Sequence, residues 1–131
     1  MIDETLASPI TPAGGHVEAR VTDSLVLAIV GSGGDGVALL GDLVLRMAAQ
    51  RGLYGMLVQS YGPQIRGGES AVLLRIARHE TQYEGDETDL LLCFRLADLK
   101  RFQGSIRLHP GSIVVLDAAD RTDPPEWLGR S

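Results

Sequence analysis

Two glycine-rich segments, Gly31-Ser-Gly-Gly-Asp-Gly36 and Ser60-Tyr-Gly-Pro-Gln-Ile-Arg-Gly-Gly68, decide the fold. The first follows the apolar run Leu25 to Val30 and the second follows Leu53 to Val58. Continuous apolar runs of this length read as strands buried on both faces, as in a parallel sheet. The first segment also opens a helical pattern from Asp35 to Gln50, so strand, loop, helix and strand succeed one another. Ligands of open α/β sheets bind beyond the carboxyl ends of the strands. Two glycine loops at successive strand ends therefore predict one site on an α/β domain, an open, mostly parallel sheet with flanking helices, Rossmann-like.

The remaining elements extend this pattern. Glu69 to Ala77 reads as a third strand, with Arg75 on the face shared by Ala71 and Leu73. Arg78 to Thr88 is charged, contains Gly85 and reads as a turn or hairpin. Asp89 to Phe94 reads as a fourth strand, Ala97 to Phe102 as a short helix and Ser112 to Asp117 as a fifth strand, with Pro110-Gly111 marking the turn before it. The organisation expected is an irregular N-terminal arm over residues 1–22, an α/β domain over 23–118 and a polar tail over 119–131.

The helix from Asp35 to Gln50 is unusual. Asp42, Arg46 and Gln50 form one narrow polar stripe at i, i+4 and i+8, and most other positions are apolar. A helix with so thin a wet face is buried on most sides, which in a small domain points to another protein surface packed against it. Gly52 reads as its C-terminal stop.

Composition narrows the classes. The 131 residues suffice for one domain with one core, and 44% are hydrophobic but only 5% aromatic. A net charge of −5 argues against nonspecific nucleic-acid binding. The N-terminus has no signal-peptide layout and no apolar stretch approaches the ~20 residues of a membrane span, so a cytoplasmic protein is expected. The single cysteine, Cys93, lies in an apolar run and reads as a small buried residue. His16, His79 and His109 have no metal-ligand spacing and read as surface residues, and no His–carboxylate pair or catalytic apparatus is visible.

The first loop is suited to a phosphate or pyrophosphate. Its glycines permit a tight turn and close backbone approach, and the helix that follows offers free N–H groups and a favourable dipole. Gly31, Gly33, Gly34, Asp35 and Gly36 form this candidate surface. The literal pattern also matches a dinucleotide fingerprint, which needs an acidic residue near the end of the second strand. No Asp or Glu occurs between Leu43 and Gly68, which speaks against the alternative enzyme reading, a nicotinamide- or flavin-dependent reductase. A pure assembly module is the non-enzyme alternative. In the second loop, Pro63 restricts Gly62 to extended geometry. Arg66 beside Gly67 and Gly68 suits recognition of phosphate or carboxylate, and Tyr61 offers a face for a ring.

These segments together resemble the gamma domain of 2-oxoacid:ferredoxin oxidoreductases, including the form fused ahead of the alpha subunit in 2-oxoglutarate-type enzymes. The resemblance rests on the two loops, on Gly41-Asp42, Gly52-Leu-Tyr-Gly55, Glu69-Ser70 and Leu74-Arg-Ile76, and on Thr88-Asp-Leu-Leu-Leu92 and Pro110-Gly-Ser-Ile-Val-Val-Leu-Asp117 in order. It covers about Leu25 to Asp117. It implies a non-autonomous subunit, inactive alone, of a complex that oxidatively decarboxylates a 2-oxoacid such as pyruvate or 2-oxoglutarate to an acyl-CoA. It implies coenzyme A binding by the two loops, with Tyr61, Arg66, Gly67 and Gly68 in the second. Thiamine diphosphate, Mg and iron–sulfur clusters are then expected on the partner alpha and beta subunits, with ferredoxin as electron acceptor. No catalytic and no metal-binding residue is expected in this chain, and no nucleic-acid or membrane partner.

Overall fold

The computed structural model describes residues 23–61, 68–83, 85, 87–120, 123, 126 and 128. The expected arm over 1–22 lies outside the described residues, as do Arg66, Gly67 and most of the expected tail. The element order is β1 (Ser24–Ser32), α1 (Val37–Gln50), β2 (Tyr54–Tyr61), β3 (Glu69–Ala77), β4 (Thr88–Cys93), α2 (Leu96–Leu99) with a 3-10 turn at Lys100–Phe102, and β5 (Leu108–Leu116). No helix among the described residues is long and apolar enough to cross a membrane.

The five strands form one sheet in the order β2-β3-β1-β4-β5. β1 pairs in parallel with β4, and β4 with β5, whereas β3 runs antiparallel to both β1 and β2. Four strands therefore share a direction and β3 opposes them. The ends of β1 and β2 still lie on one edge, because two antiparallel pairings in succession restore the direction.

The side-chain alternation of β1 serves two cores. Leu27 and Ile29 pack with Val72, Leu74 and Val37 under α1. Ala28 and Val30 pack with Leu91, Cys93, Leu96, Leu99, Phe102 and Ile106 on the other face. Full burial of a Val-, Leu- or Ile-sized side chain contributes about 1.5–3 kcal/mol, so this central strand anchors both layers. Cys93 is buried as expected, and burial pushes its thiol pKa up to about 11.

Three expectations change. α1 begins at Val37 rather than Asp35, because the Asp35 N–H is spent on a turn to the Ser32 carbonyl at 3.0 Å and Gly36 takes the capping position with φ 82°. Pro110 and Gly111 do not precede the fifth strand but sit inside it, in an irregularity where pairing passes from Thr88↔Leu108 to Leu90↔Ile113. The bulge is held by Ser112, whose Oγ accepts from the His109 N–H at 2.8 Å and donates to the Thr88 carbonyl at 2.6 Å. His109 is consequently no simple surface residue. Its Nε2 lies 2.9 Å from Asp89 Oδ1, and its Nδ1 accepts from the Gly111 N–H at 3.1 Å. This His–carboxylate pair stands at the starts of β4 and β5, on the sheet edge opposite the glycine loops.

Arg75 lies across from Val26 and Met56 in the sheet. Its guanidinium stacks 4.6 Å from the centre of the Tyr83 ring and donates weakly to Ser24 Oγ at 3.4 Å, so a cation is held at the end of an otherwise apolar face.

Candidate functional site

β1 and β4 are adjacent parallel strands whose following helices depart on opposite faces, α1 to one core and α2 to the other. This is a topological switch point, and the crevice beyond it is where open α/β sheets bind ligands. The loop after β1 lies there. The end of β2 at Tyr61 and the start of β3 lie at the same edge, and a backbone bond joins the first loop to Gly68: the Gly33 N–H donates to the Gly68 carbonyl at 2.7 Å. The site residues expected on separate loops thus form one continuous backbone surface as far as Gly68.

The first loop has a specific internal construction. Gly31 is buried, and a Cβ there would come within 2.8 Å of Val37 Cγ2, 3.0 Å of Phe94 Cδ2 and 3.1 Å of Asp35 Oδ2. Its glycine therefore permits the close approach of helix start, fourth strand and carboxylate. Gly34 has φ +94° and Gly36 φ +82°, conformations that side chains with a Cβ adopt at a cost. Among the described residues, a Cβ at either would meet no heavy atom within 4 Å. The first turn of α1 has no side-chain cap and no acidic residue, leaving its N–H groups and the positive end of the dipole directed at this edge.

Asp35 faces inward along the loop. Its Oδ2 accepts from the Ser32 N–H at 2.8 Å and lies 3.5 Å from Arg95 Nε. The carboxylate thus braces the turn that carries it. Arg95 and Asp98, from the β4–α2 junction, were not singled out in the sequence. Arg95 is 61% exposed beside Asp35, and Asp98 Oδ2 accepts from Ser32 Oγ at 2.6 Å. The only signal for them is position: both follow a strand ending at the switch point. A recess of about 370 Å³ beside them is lined by Phe94, Arg95, Ala97, Asp117, Ala119 and Asp120.

Tyr61 ends β2, exposed, with its hydroxyl donating to Gln59 Oε1 at 2.8 Å. It stands in register with Ser70, which is in register with Gly31. Two strand spacings of about 4.8 Å put Tyr61 roughly 10 Å from the first loop. Arg66 and Gly67 lie outside the described residues, between Tyr61 and Gly68. The strand end that would carry a ribose-binding acid in a dinucleotide site reads Gln59-Ser60-Tyr61.

Comparison with known proteins agrees with this architecture. Residues 26–129 match the family model described as pyruvate ferredoxin/flavodoxin oxidoreductase. The chain is 36% identical over 104 residues to 2-oxoglutarate synthase subunit KorC of Methanothermobacter thermautotrophicus, covering 72% of this chain and 54% of that one. It is 46% identical over 92 residues to the KorC subunit of Methanothermobacter marburgensis, covering 68% and 48%. The chain spans about half the length of these curated relatives. Its fold is similar to part of the 2-oxoglutarate:ferredoxin oxidoreductase of Magnetococcus marinus, solved with 2-oxoglutarate, coenzyme A and succinyl-CoA bound. The TM-score is 0.71 at 24% identity, covering 80% of this chain and 18% of that one. It is also similar to a keto/oxoacid ferredoxin oxidoreductase gamma subunit of Geobacter sulfurreducens, with TM-score 0.60 at 21% identity, covering 80% and 57%.

Proposed function

This chain belongs to the pyruvate ferredoxin/flavodoxin oxidoreductase family, and from that premise we propose that it is the gamma-type unit of a 2-oxoacid:ferredoxin oxidoreductase, contributing to coenzyme A binding and to assembly. The observation that carries the reading is the Gly33–Gly68 bond at the switch point, which joins the two glycine loops at one sheet edge. Coenzyme A is a long polyanionic ligand, and the edge offers groups matched to its parts. The helix N–H groups beyond Gly36 and the guanidinium of Arg66 receive phosphates, the exposed Tyr61 ring is a platform for the adenine, and Arg95 adds charge on the far side of the loop.

The decarboxylation itself belongs to partner alpha and beta subunits in this reading. Thiamine diphosphate with Mg supplies the carbanion chemistry, and iron–sulfur clusters carry the electrons to ferredoxin. Among the described residues no three metal-ligating side chains converge, and one cysteine cannot provide the four ligands of a cluster. In this reading the chain helps to hold the acyl acceptor at the edge of the complex.

The test is steady-state kinetics of the assembled oxidoreductase with coenzyme A and 2-oxoacid varied separately. A charge-assisted bond is worth about 1.5–3 kcal/mol, so Arg66→Ala raises the KM for coenzyme A by about ten- to a hundredfold and leaves that for the 2-oxoacid unchanged. An unchanged coenzyme A KM in an intact complex would assign the loops to assembly alone.

A further inference from the structure

Ser32 is the last residue of β1, and three of its polar groups are engaged at the root of the first loop. Its N–H donates to Asp35 Oδ2 at 2.8 Å, and its carbonyl accepts from the Asp35 N–H at 3.0 Å. These two bonds close the turn on itself. The third reaches out of the loop: Ser32 Oγ donates to Asp98 Oδ2 at 2.6 Å, across 66 positions of sequence. An O–H···O⁻ bond of this length is of the strong, charge-assisted kind.

Asp98 is carried on a fixed platform. α2 buries Leu96 and Leu99 in the core that holds Ala28, Val30 and Cys93. The Leu96 N–H donates to Asp120 Oδ2 at 2.7 Å. The Phe94 N–H donates to the Val30 carbonyl at 2.9 Å, which carries the β1–β4 pairing to the foot of the helix. Arg95, at the start of α2, brings its Nε within 3.5 Å of Asp35 Oδ2, the oxygen that takes the Ser32 N–H. The platform therefore touches the loop twice, on the Ser32 hydroxyl and on the Asp35 carboxylate. On the other side the Gly33 N–H is bound to the Gly68 carbonyl, next to β3. The base of the loop is thus held from both neighbouring strands, and the β4 side holds it through side chains.

We propose that Asp98 and Ser32 are positioning residues for the ligand of the first loop. Their bond fixes where Gly33 to Gly36 leave the sheet, and hence where the N–H groups of the loop and of the first turn of α1 meet a phosphate of coenzyme A. The inference rests on the coenzyme A half of the proposed function and goes beyond it by naming two side chains that act through the shape of the loop. Backbone donors bind an anion by direction. A site keeps its affinity only while supporting bonds hold those donors within about 0.5 Å of the productive geometry. Gly33, Gly34 and Gly36 give the loop little stiffness of its own, so its stiffness comes from its anchors. Ser32 immediately precedes the first of these glycines, and the Asp98 carboxylate is the anchor placed there.

The experiment uses the assembled oxidoreductase, with coenzyme A and 2-oxoacid varied separately and with amide hydrogen exchange of residues 31–36 followed without ligand. Ser32→Ala should raise the coenzyme A KM about five- to tenfold, the scale of one hydrogen bond, with kcat and the 2-oxoacid KM unchanged. Mere destabilisation of the fold would instead lower kcat by depleting active complex. Ser32→Thr keeps the hydroxyl and should restore the wild-type KM. With Asp98→Ala already in place, Ser32→Ala should have less than about a twofold further effect, because its partner is gone. Comparison within that background cancels the lost charge. The Gly33 and Asp35 amides, both bonded in the wild type, should exchange about fivefold faster or more in Ser32→Ala and in Asp98→Ala. Unchanged exchange, failure of threonine to rescue, or an equal effect of Ser32→Ala in both backgrounds would overturn the proposal. So would faster exchange with an unmoved coenzyme A KM where Arg66→Ala does raise it. If Arg66→Ala and Ser32→Ala both leave that KM unmoved while exchange quickens, the coenzyme A reading has failed and the anchoring of the loop by Asp98 stands.

Discussion

Replacing Asp35 by asparagine separates two roles that a loop carboxylate can have. In the structure Asp35 is a brace: its Oδ2 accepts from the Ser32 N–H at 2.8 Å and lies 3.5 Å from Arg95. A hydrogen bond to a charged acceptor is worth about 1.5–3 kcal/mol and a neutral one about 1 kcal/mol, so asparagine keeps part of the bond. The ion pair adds little, since Arg95 is 61% exposed and such pairs contribute about 0–1 kcal/mol. Asp35→Asn therefore destabilises the chain by about 1–2 kcal/mol, roughly 3–8 °C in Tm for a domain of this size. Its effect on coenzyme A has the opposite sign. If a phosphate binds on this loop, a separation of about 7 Å and an effective dielectric constant of about 40 would make the carboxylate oppose it by about 1 kcal/mol. Removing it lowers the coenzyme A KM about three- to tenfold, and the gain shrinks with added salt. The assays are thermal unfolding of the complex and coenzyme A kinetics at two ionic strengths. A raised coenzyme A KM in Asp35→Asn would refute the argument and make Asp35 a direct ligand contact.

Gly34→Val combines a strained φ of +94° with a side chain projected into the open space above the loop. It should cost about 1–3 kcal/mol of stability and raise the coenzyme A KM more than Arg66→Ala does, read by the same kinetics. Gly41 faces the sheet, and an added Cβ would lie 2.7 Å from Val72 Cγ1 and 3.2 Å from Leu57 Cδ1. Gly41→Leu should thus lower stability by about 1–3 kcal/mol through overpacking, seen in denaturant unfolding. Cys93 stays protonated in the folded chain to about pH 11, whereas an unfolded thiol loses its proton near pH 8.5. The unfolded state is favoured as pH rises between those values, so unfolding midpoints should fall across that window in the wild type and stay flatter in Cys93→Ala.

The strands were legible because each is an apolar run bounded by glycine, proline or charge, and Leu25 to Val30 is apolar on both sides because both cores use it. The meeting of the two loops was also legible, since strand ends of one direction share an edge. The reversal of β3 was not legible. Nothing in Glu69 to Ala77 records that it slips between β1 and β2. The contacts of Arg95 and Asp98 with the first loop were equally silent, because they join residues some sixty positions apart through the β1–β4 pairing. His109 and Asp89 meet only because the bulge at Pro110 and Gly111 lengthens β5 backward. A turn signal was present there, but the residues flanking it turn the chain within a strand rather than before one.

The bond from the Gly33 N–H to the Gly68 carbonyl also limits how the binding edge can respond to a guest. Gly33 and Gly68 cannot part without exchanging this bond for water, so the two positions are coupled by the net worth of one hydrogen bond, about 0.5–1.5 kcal/mol. A shift of Gly33 would thereby pass through Gly68 to the start of β3, so that the first loop and the one antiparallel strand of the sheet move together.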